Sequence, residues 1–247
     1  VKNKNVEWVS FRFLCLSLSQ HSYKNHNRET LYIIFLFLGI AIVRLCPENI
    51  HWHLHDEEMG VKGTYKGEMS SGKPNGKGSE VFENGNTYDG EFVKGKRQGH
   101  GVYTFADGEK YDGQWVLNQQ HGRGTYYFSN NNKYVGLWFR DYQQGHGVMY
   151  YFNGDVYDGD WFHDMRQGHG KYTFSTGAYY DGQWKNDKKE GKGFFDWGDG
   201  NTYRGNWLDN QRSGYGVNKY ADGDVYKGMW KDDIQQGRGI YLFQNGD

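Results

Sequence analysis

Few residues in this chain have the types and spacing to do chemistry. Gly-x-Gly pairs recur from Gly76/Gly78 and Gly99/Gly101 through to Gly237/Gly239. Such pairs cradle phosphate when a helix N-terminus follows and aims its free N–H groups at the anion. Here a strand pattern follows each pair, so the cradle lacks its helix. His51, His53 and His55 alternate ahead of Asp56, Glu57 and Glu58. On an extended strand the three imidazoles would share a face and could hold a transition metal. Spacing alone does not assign one there. His163 and Asp164 sit together in what reads as a wide loop, with no serine or cysteine recurring nearby as a nucleophile. A polar loop accounts for them. No glycine-rich kinase loop leads into a strand lysine and a catalytic-loop aspartate. The expectation is no catalytic residue, no cofactor and no metal.

Composition narrows the classes further. The 247 residues carry 29 Lys+Arg against 30 Asp+Glu, a formal net charge of −1, so nucleic acid is not an expected partner. Glycine is abundant (37) and proline nearly absent (2), which excludes collagen-like and proline-rich chains, and 18% aromatic residues exclude a disordered one. From Met59 onward there are 37 aromatic residues but only 16 Val, Leu and Ile. Rings must therefore form most of the buried surface.

The two ends differ. Residues 1–58 hold a single glycine, Gly39, and both cysteines, Cys15 and Cys46, so neither a disulfide framework nor a cysteine zinc site can hold the rest together. The apolar run 31–43 is 13 residues long, short of the 18 or more of a spanning helix, and Cys46-Pro47 is no small-residue cleavage site. The first methionine, Met59, falls at the composition break. Three readings of residues 1–58 stay open: non-native sequence, a membrane-associated helix, or a helix packed on the end of the domain. Residues 59–247 form the second region.

That second region is periodic. Tyr65, Tyr88, Tyr111, Tyr134, Tyr157, Tyr180, Tyr203 and Tyr226 are spaced by 23 residues. Two places on stand Gly67, Gly90, Gly113, Gly136, Gly159, Gly182, Gly205 and Gly228. Two further come Met69, Phe92, Trp115, Trp138, Trp161, Trp184, Trp207 and Trp230. Four residues after each Gly-x-Gly is a ring: Phe82, Phe105, Phe128, Tyr151, Phe174, Trp197, Tyr220 and Phe243.

The large residues alternate at i, i+2, i+4, the period of a strand. Six residues separate Phe92 from Gly99, enough to reverse the chain, so each unit reads as an antiparallel hairpin pairing Phe92 with Gly99, Gly90 with Gly101 and Tyr88 with Tyr103. Each ring would lie over bare glycine backbone, where even an alanine should clash. Three residues link the units, as in Glu83-Asn84-Gly85 or Ala106-Asp107-Gly108, with glycine third in all but the unit that has Asn131. This fits a three-residue hairpin loop closed by a left-handed residue. A two-residue loop would throw the next Tyr to the opposite face. Sixteen strands at about 4.8 Å give a ribbon roughly 75 Å long.

Tyr-x-Gly-x-Trp followed by Gly-x-Gly and an Asn/Asp-Gly turn resembles the MORN (membrane occupation and recognition nexus) repeat, over about residues 63–247. Met69 and Phe92 depart from Trp, which marks the first two units as narrower caps. The resemblance implies an all-β fold, an elongated single-sheet antiparallel solenoid of eight hairpins used as a scaffold. It also implies a cytoplasmic place in a ciliary, cytoskeletal or junctional membrane assembly, or ahead of the kinase domain of a phosphoinositide kinase.

Between the paired glycines stand Lys77, His100, Arg123, His146, His169, Lys192, Tyr215 and Arg238, on the face opposite the rings. The hairpin register would set Glu68, Glu91, Gln114, Leu137, Asp160, Gln183, Asn206 and Met229 across from them. This row is either a solvated cross-strand ladder or a line of cations for anionic lipid or an acidic partner. Asp89, Asp112, Asp158 and Asp181 stand beside it and offset its charge. The functional expectation is a non-enzymatic scaffold whose aromatic face or strand edges bind proteins. The C-terminal strand edge would be covered by more chain, a second copy or a partner. The alternatives are a phospholipid-binding module and the targeting region of a larger enzyme.

Overall fold

The computed structural model describes residues 20–24, 30–36, 39–44 and 63–246, in two compact units. In the first, β1 (Gln20–Lys24), β2 (Thr30–Leu36) and β3 (Gly39–Arg44) form an antiparallel three-stranded sheet. Residues 31–36 and 39–43 of the apolar run are thus strands and not the expected helix, with Ile33 opposite Ile42 and Tyr32 opposite Val43. The β-branched residues that make the run apolar are also those that favour strands. His51, His53 and His55 lie outside the described residues.

The second unit is one open antiparallel sheet of sixteen strands in chain order. The first hairpin pairs β4 (Gly63–Ser70) with β5 (Lys73–Phe82), and the second pairs β6 (Thr87–Val93) with β7 (Lys96–Thr104). The pattern repeats through to β18 (Val225–Lys231) and β19 (Ile234–Leu242). Units are joined by the expected three-residue loop. Gly108 N–H donates to Phe105 C=O at 3.0 Å, Phe105 N–H donates to Glu109 C=O at 2.9 Å, and Gly108 has φ 90°. Asn131 takes the same left-handed place, with φ 66°.

The reversal inside each unit is tighter than six residues. Gly90 faces Gly101 and Tyr88 faces Tyr103, but Phe92 faces Arg97 and not Gly99. The chain turns on two residues, Lys94 and Gly95, both at positive φ (53° and 84°), as a type I′ turn requires. The surplus residues form a bulge at Gly99, itself at φ 71°. His163 and Asp164 are such turn residues, at φ 49° and 64°. The two glycines of each Gly-x-Gly pair therefore have different duties. The first is the left-handed bulge residue and faces the next unit's large side chain, as Gly99 faces Trp115. The second, with the glycine of Tyr-x-Gly, seats the tyrosine ring.

That seat leaves no room for a methyl group. A Cβ at Gly170 would fall 2.5 Å from Tyr157 Cζ, and one at Gly159 would fall 2.6 Å from the Tyr157 hydroxyl and 2.7 Å from His169 C=O. The phenol then donates to backbone: Tyr157 to Asp160 C=O at 3.1 Å, Tyr180 to Gln183 C=O at 2.9 Å. The rings continue from unit to unit edge to face. Tyr157 meets Trp161 at 5.2 Å and 87°, and Trp184 of the next unit at 5.3 Å and 83°. Trp184 Nε1 donates back to Gly170 C=O at 2.9 Å. Tyr88 and Tyr157 are fully buried and Trp161 is 5% exposed. Phe92 fills the tryptophan place and is buried, whereas Met69 is exposed, so only the first unit lacks a complete ring pair.

Two outcomes follow from this packing. Gly159→Val should lower stability by about 1–3 kcal/mol or more by overpacking, whereas Asp158→Asn on the outer face should cost less than about 0.5 kcal/mol. Urea denaturation compares the two, and equal losses would overturn the assignment of faces. Burial also raises the phenol pKa of Tyr88, Tyr111, Tyr134, Tyr157 and Tyr180 above the usual 10.0, and that of Tyr203 to about 12. Because the folded value is raised, this stabilisation is whole below pH 10.0 and falls as pH rises, since only the unfolded chain then ionises. Absorbance titration should show these phenols ionising together with unfolding, and a full phenolate signal from a still-folded sheet would contradict the burial.

Candidate interaction surfaces

The repeated Tyr and Trp side chains are the sheet's interior, so they are not the surface a partner meets. At the loop end of the strands stands a second line, Phe105, Phe128, Tyr151, Phe174, Trp197 and Tyr220, half-buried against the core.

Two polar clamps hold successive units in register, and sequence reading missed both. The residue after each loop glycine reaches into the next loop. Asn86 Oδ1 accepts from Ala106 N–H at 2.9 Å, Glu109 Oε1 from Ser129 N–H at 3.1 Å, and Asp155 Oδ1 from Ser175 N–H at 2.8 Å. The other carboxylate oxygen takes a phenol: Tyr126 hydroxyl donates to Glu109 at 2.5 Å and Tyr172 hydroxyl to Asp155 at 2.6 Å. At the opposite end the turn residues Asn118, Asp141, Asp164, Asp187, Asn210 and Asp233 each accept, through Oδ1, a backbone N–H of the preceding unit. A signal was present in both cases, an Asn or Asp/Glu recurring at the 23-residue spacing. Ala178 breaks the first series.

The polar row lies on the outer face, but its partners differ from the expected ones. The bulge takes the row out of the ladder within its own unit, and the unbroken register across the three-residue loop sets Lys77 opposite Glu91, His100 opposite Gln114, Arg123 opposite Leu137, His146 opposite Asp160, His169 opposite Gln183 and Lys192 opposite Asn206, each in the following unit. The side chains expected opposite the row close the bulge instead. Glu68 accepts from Lys77 N–H at 3.2 Å, Gln114 from Arg123 N–H at 3.1 Å and Asp160 from His169 N–H at 3.2 Å. The histidines reach forward to the aspartates that follow the repeat tyrosines. His100 Nε2 is 3.1 Å from Asp112, His146 3.1 Å from Asp158, and His169 3.0 Å from Asp181. Exposed pairs of this kind contribute little stability, on the order of 0–1 kcal/mol.

Two stretches of this face break the pattern. In the fourth unit, Val135 stands where other units have Asp89, Asp112, Asp158 or Asp181, and Leu137 stands where they have Glu, Gln or Asp. Val135 faces Val148, and Tyr127 and Tyr150 flank Lys133. Val135, Leu137 and Tyr150 are each 40% exposed, an apolar island in the middle of the array, and Tyr215, Met229 and Ile240 are exposed on the same face near its end. In the last two units the aspartate position becomes Arg204 and Lys227, so Lys219 and Arg238 there, and Lys192 of the sixth unit, lack the neutralising acids of earlier units.

The loop clamp gives a stability outcome. Glu109→Ala removes the acceptor of Ser129 N–H and of the buried Tyr126 hydroxyl, and should cost about 1–3 kcal/mol. A urea midpoint matching the parent chain would show that the clamp contributes nothing.

Among the described residues no helix is long and apolar enough to cross a membrane. No curated protein matches the chain. Among solved structures it is similar to the Drosophila melanogaster SAS-4 (dCPAP) TCP domain, in a complex with a proline-rich motif of Ana2 (dSTIL). That alignment covers 83% of this chain and 94% of that one, at 13% identity and a TM-score of 0.36. The model of the MORN repeat matches eight consecutive times, at 65–87, 88–110, 111–133, 134–156, 157–179, 180–202, 203–225 and 226–247. With eight matches over three quarters of its length, the chain belongs to the MORN repeat family.

Proposed function

We propose that the array is a non-enzymatic scaffold that binds a protein partner on the outer face of its fourth unit. The apolar island carries this reading. An exposed apolar patch rimmed by polar residues marks a protein contact, and this one replaces acidic or amide positions that the neighbouring units keep. The repeat cores on either side supply a rigid base. The cytoplasmic setting implied by the family, in a ciliary, cytoskeletal or membrane-junction assembly, is consistent with such a part. Full-length chain used as bait, beside the double variant Val135→Asp with Leu137→Gln, tests it. Both replacements restore residues that other units carry at these places, so folding should be kept. The expected result is a partner retained by the parent chain and lost from the variant; equal retention would overturn the reading.

The basic end supports a second reading, contact with anionic lipid. Lys192, Arg204, Lys219, Lys227 and Arg238 share the outer face with exposed Tyr215, Met229 and Ile240. Each cation near an anionic surface contributes about 1 kcal/mol. Co-sedimentation of the full chain with phosphatidylserine vesicles should be salt-sensitive and should fall with Arg204→Glu plus Lys227→Glu. If the scaffold reading alone holds, no salt-sensitive pelleting occurs.

A further inference from the structure

The cations over the tryptophans of the third, sixth, seventh and eighth units have one exceptional member. Five residues after the large apolar residue of a unit, a side chain crosses to lie over the next unit's tryptophan: Arg97 over Trp115 at 4.7 Å, Arg166 over Trp184 at 4.5 Å, Lys189 over Trp207 at 4.3 Å and Arg212 over Trp230 at 4.2 Å. Two of the arginines are anchored by the turn of the following unit. Arg166 Nε lies 3.0 Å from Asp187 Oδ1, and Arg212 Nε lies 3.0 Å from Asp233 Oδ1. In the sixth unit both partners are exchanged. The cation is Lys189 and the turn residue is the neutral Asn210, whose Oδ1 accepts the Lys189 backbone N–H at 2.8 Å.

Lys189 is thus the one lysine of this series, and it has no carboxylate at the place where Arg166 and Arg212 have theirs. Its half-buried side chain ends among rings, 4.3 Å from the centre of Trp207, 4.9 Å from Phe195 and 5.6 Å from Tyr180. The ring faces attract its ammonium form. Burial acts against that form and is the main cause that pushes the amine down to about 8, with Asp233 opposing and Arg212 adding to the shift. A lysine desolvated beside another cation is the arrangement that makes an amine nucleophilic near neutral pH.

We propose that Lys189 is a covalent modification site, an amine seated on Trp207 without a carboxylate partner that takes an acyl group from an activated acyl donor of the thioester class. The Nζ lone pair attacks the thioester carbonyl carbon. The C–N bond forms, the C–S bond breaks, and the leaving thiolate takes up the proton that nitrogen loses. The product is a neutral amide, which ends the cation–π contact and removes the like charge facing Arg212. The joint between the sixth and seventh units is thereby loosened.

Limited acetylation of the native full chain by S-acetyl-N-acetylcysteamine, followed by peptide mass mapping of every lysine, tests the site. Lys189 should react roughly tenfold faster than a typical exposed lysine, the gain in free amine outweighing its lower basicity. Its rate should rise with pH to a midpoint near 8. Asn210→Asp supplies the carboxylate that Arg166 and Arg212 enjoy and should return Lys189 to the rate of the others, while the urea midpoint shows the fold intact. A native Lys189 no faster than the remaining lysines, or a rate unchanged by Asn210→Asp in the folded chain, would overturn the proposal.

Discussion

A tyrosine ring lying flat on two facing glycines is the contact on which the rest of this sheet depends. Glycine ordinarily weakens a strand, through lost entropy and the absence of packing. Here the pair makes a floor at backbone level, and a Cβ on either member would enter the ring. The ring in turn covers backbone that a single-layer sheet would leave wet. Tryptophan then bridges the seats, edge-on to the tyrosine of its own unit and to that of the unit before, so the core propagates along the chain and has no central point. Each unit depends on its neighbours, as repeat arrays do.

Polar contacts set the spacing that the rings need. The two-residue turns and the three-residue loops lie at opposite ends of the strands, and each end has its own side-chain clamp to the next unit. Because an acceptor oxygen satisfies a backbone N–H in a fixed direction, a clamp fixes register more sharply than ring contacts can. The outer face is left without a structural duty beyond closing the bulge. Its side chains vary from unit to unit while the repeat tyrosines and the glycines that seat them do not, and that variation separates an apolar middle from a basic end.

Much of this was legible in the sequence, because a period of 23 with rings and glycines at fixed offsets admits few geometries. The pairing of Gly90 with Gly101, the loop closed by a left-handed residue and the single face for all eight tyrosines follow from spacing alone. The turn inside each unit did not. Counting residues from Phe92 to Gly99 gives one length for two arrangements, an open loop or a tight turn with a bulge, and only positive φ at Lys94, Gly95 and Gly99 separates them. The partners of the polar row went wrong for the same reason, since the bulge takes His100 out of the ladder of its own unit while Gly90 stays paired with Gly101 and Tyr88 with Tyr103. The loop clamps were overlooked because Asn86, Glu109 and Asp155 look like ordinary turn residues until their distance from the next loop is known. The apolar island was hidden by reading the outer face as uniformly polar.

A double-mutant cycle between Tyr157 and Gly170 tests the ring seat most directly. With Tyr157 present, Gly170→Ala should be strongly destabilising. With Tyr157→Ala in place, the same change should become neutral or mildly stabilising, giving a coupling of about 1–3 kcal/mol in urea denaturation. Additive losses, with no coupling between ring and glycine, would contradict the account.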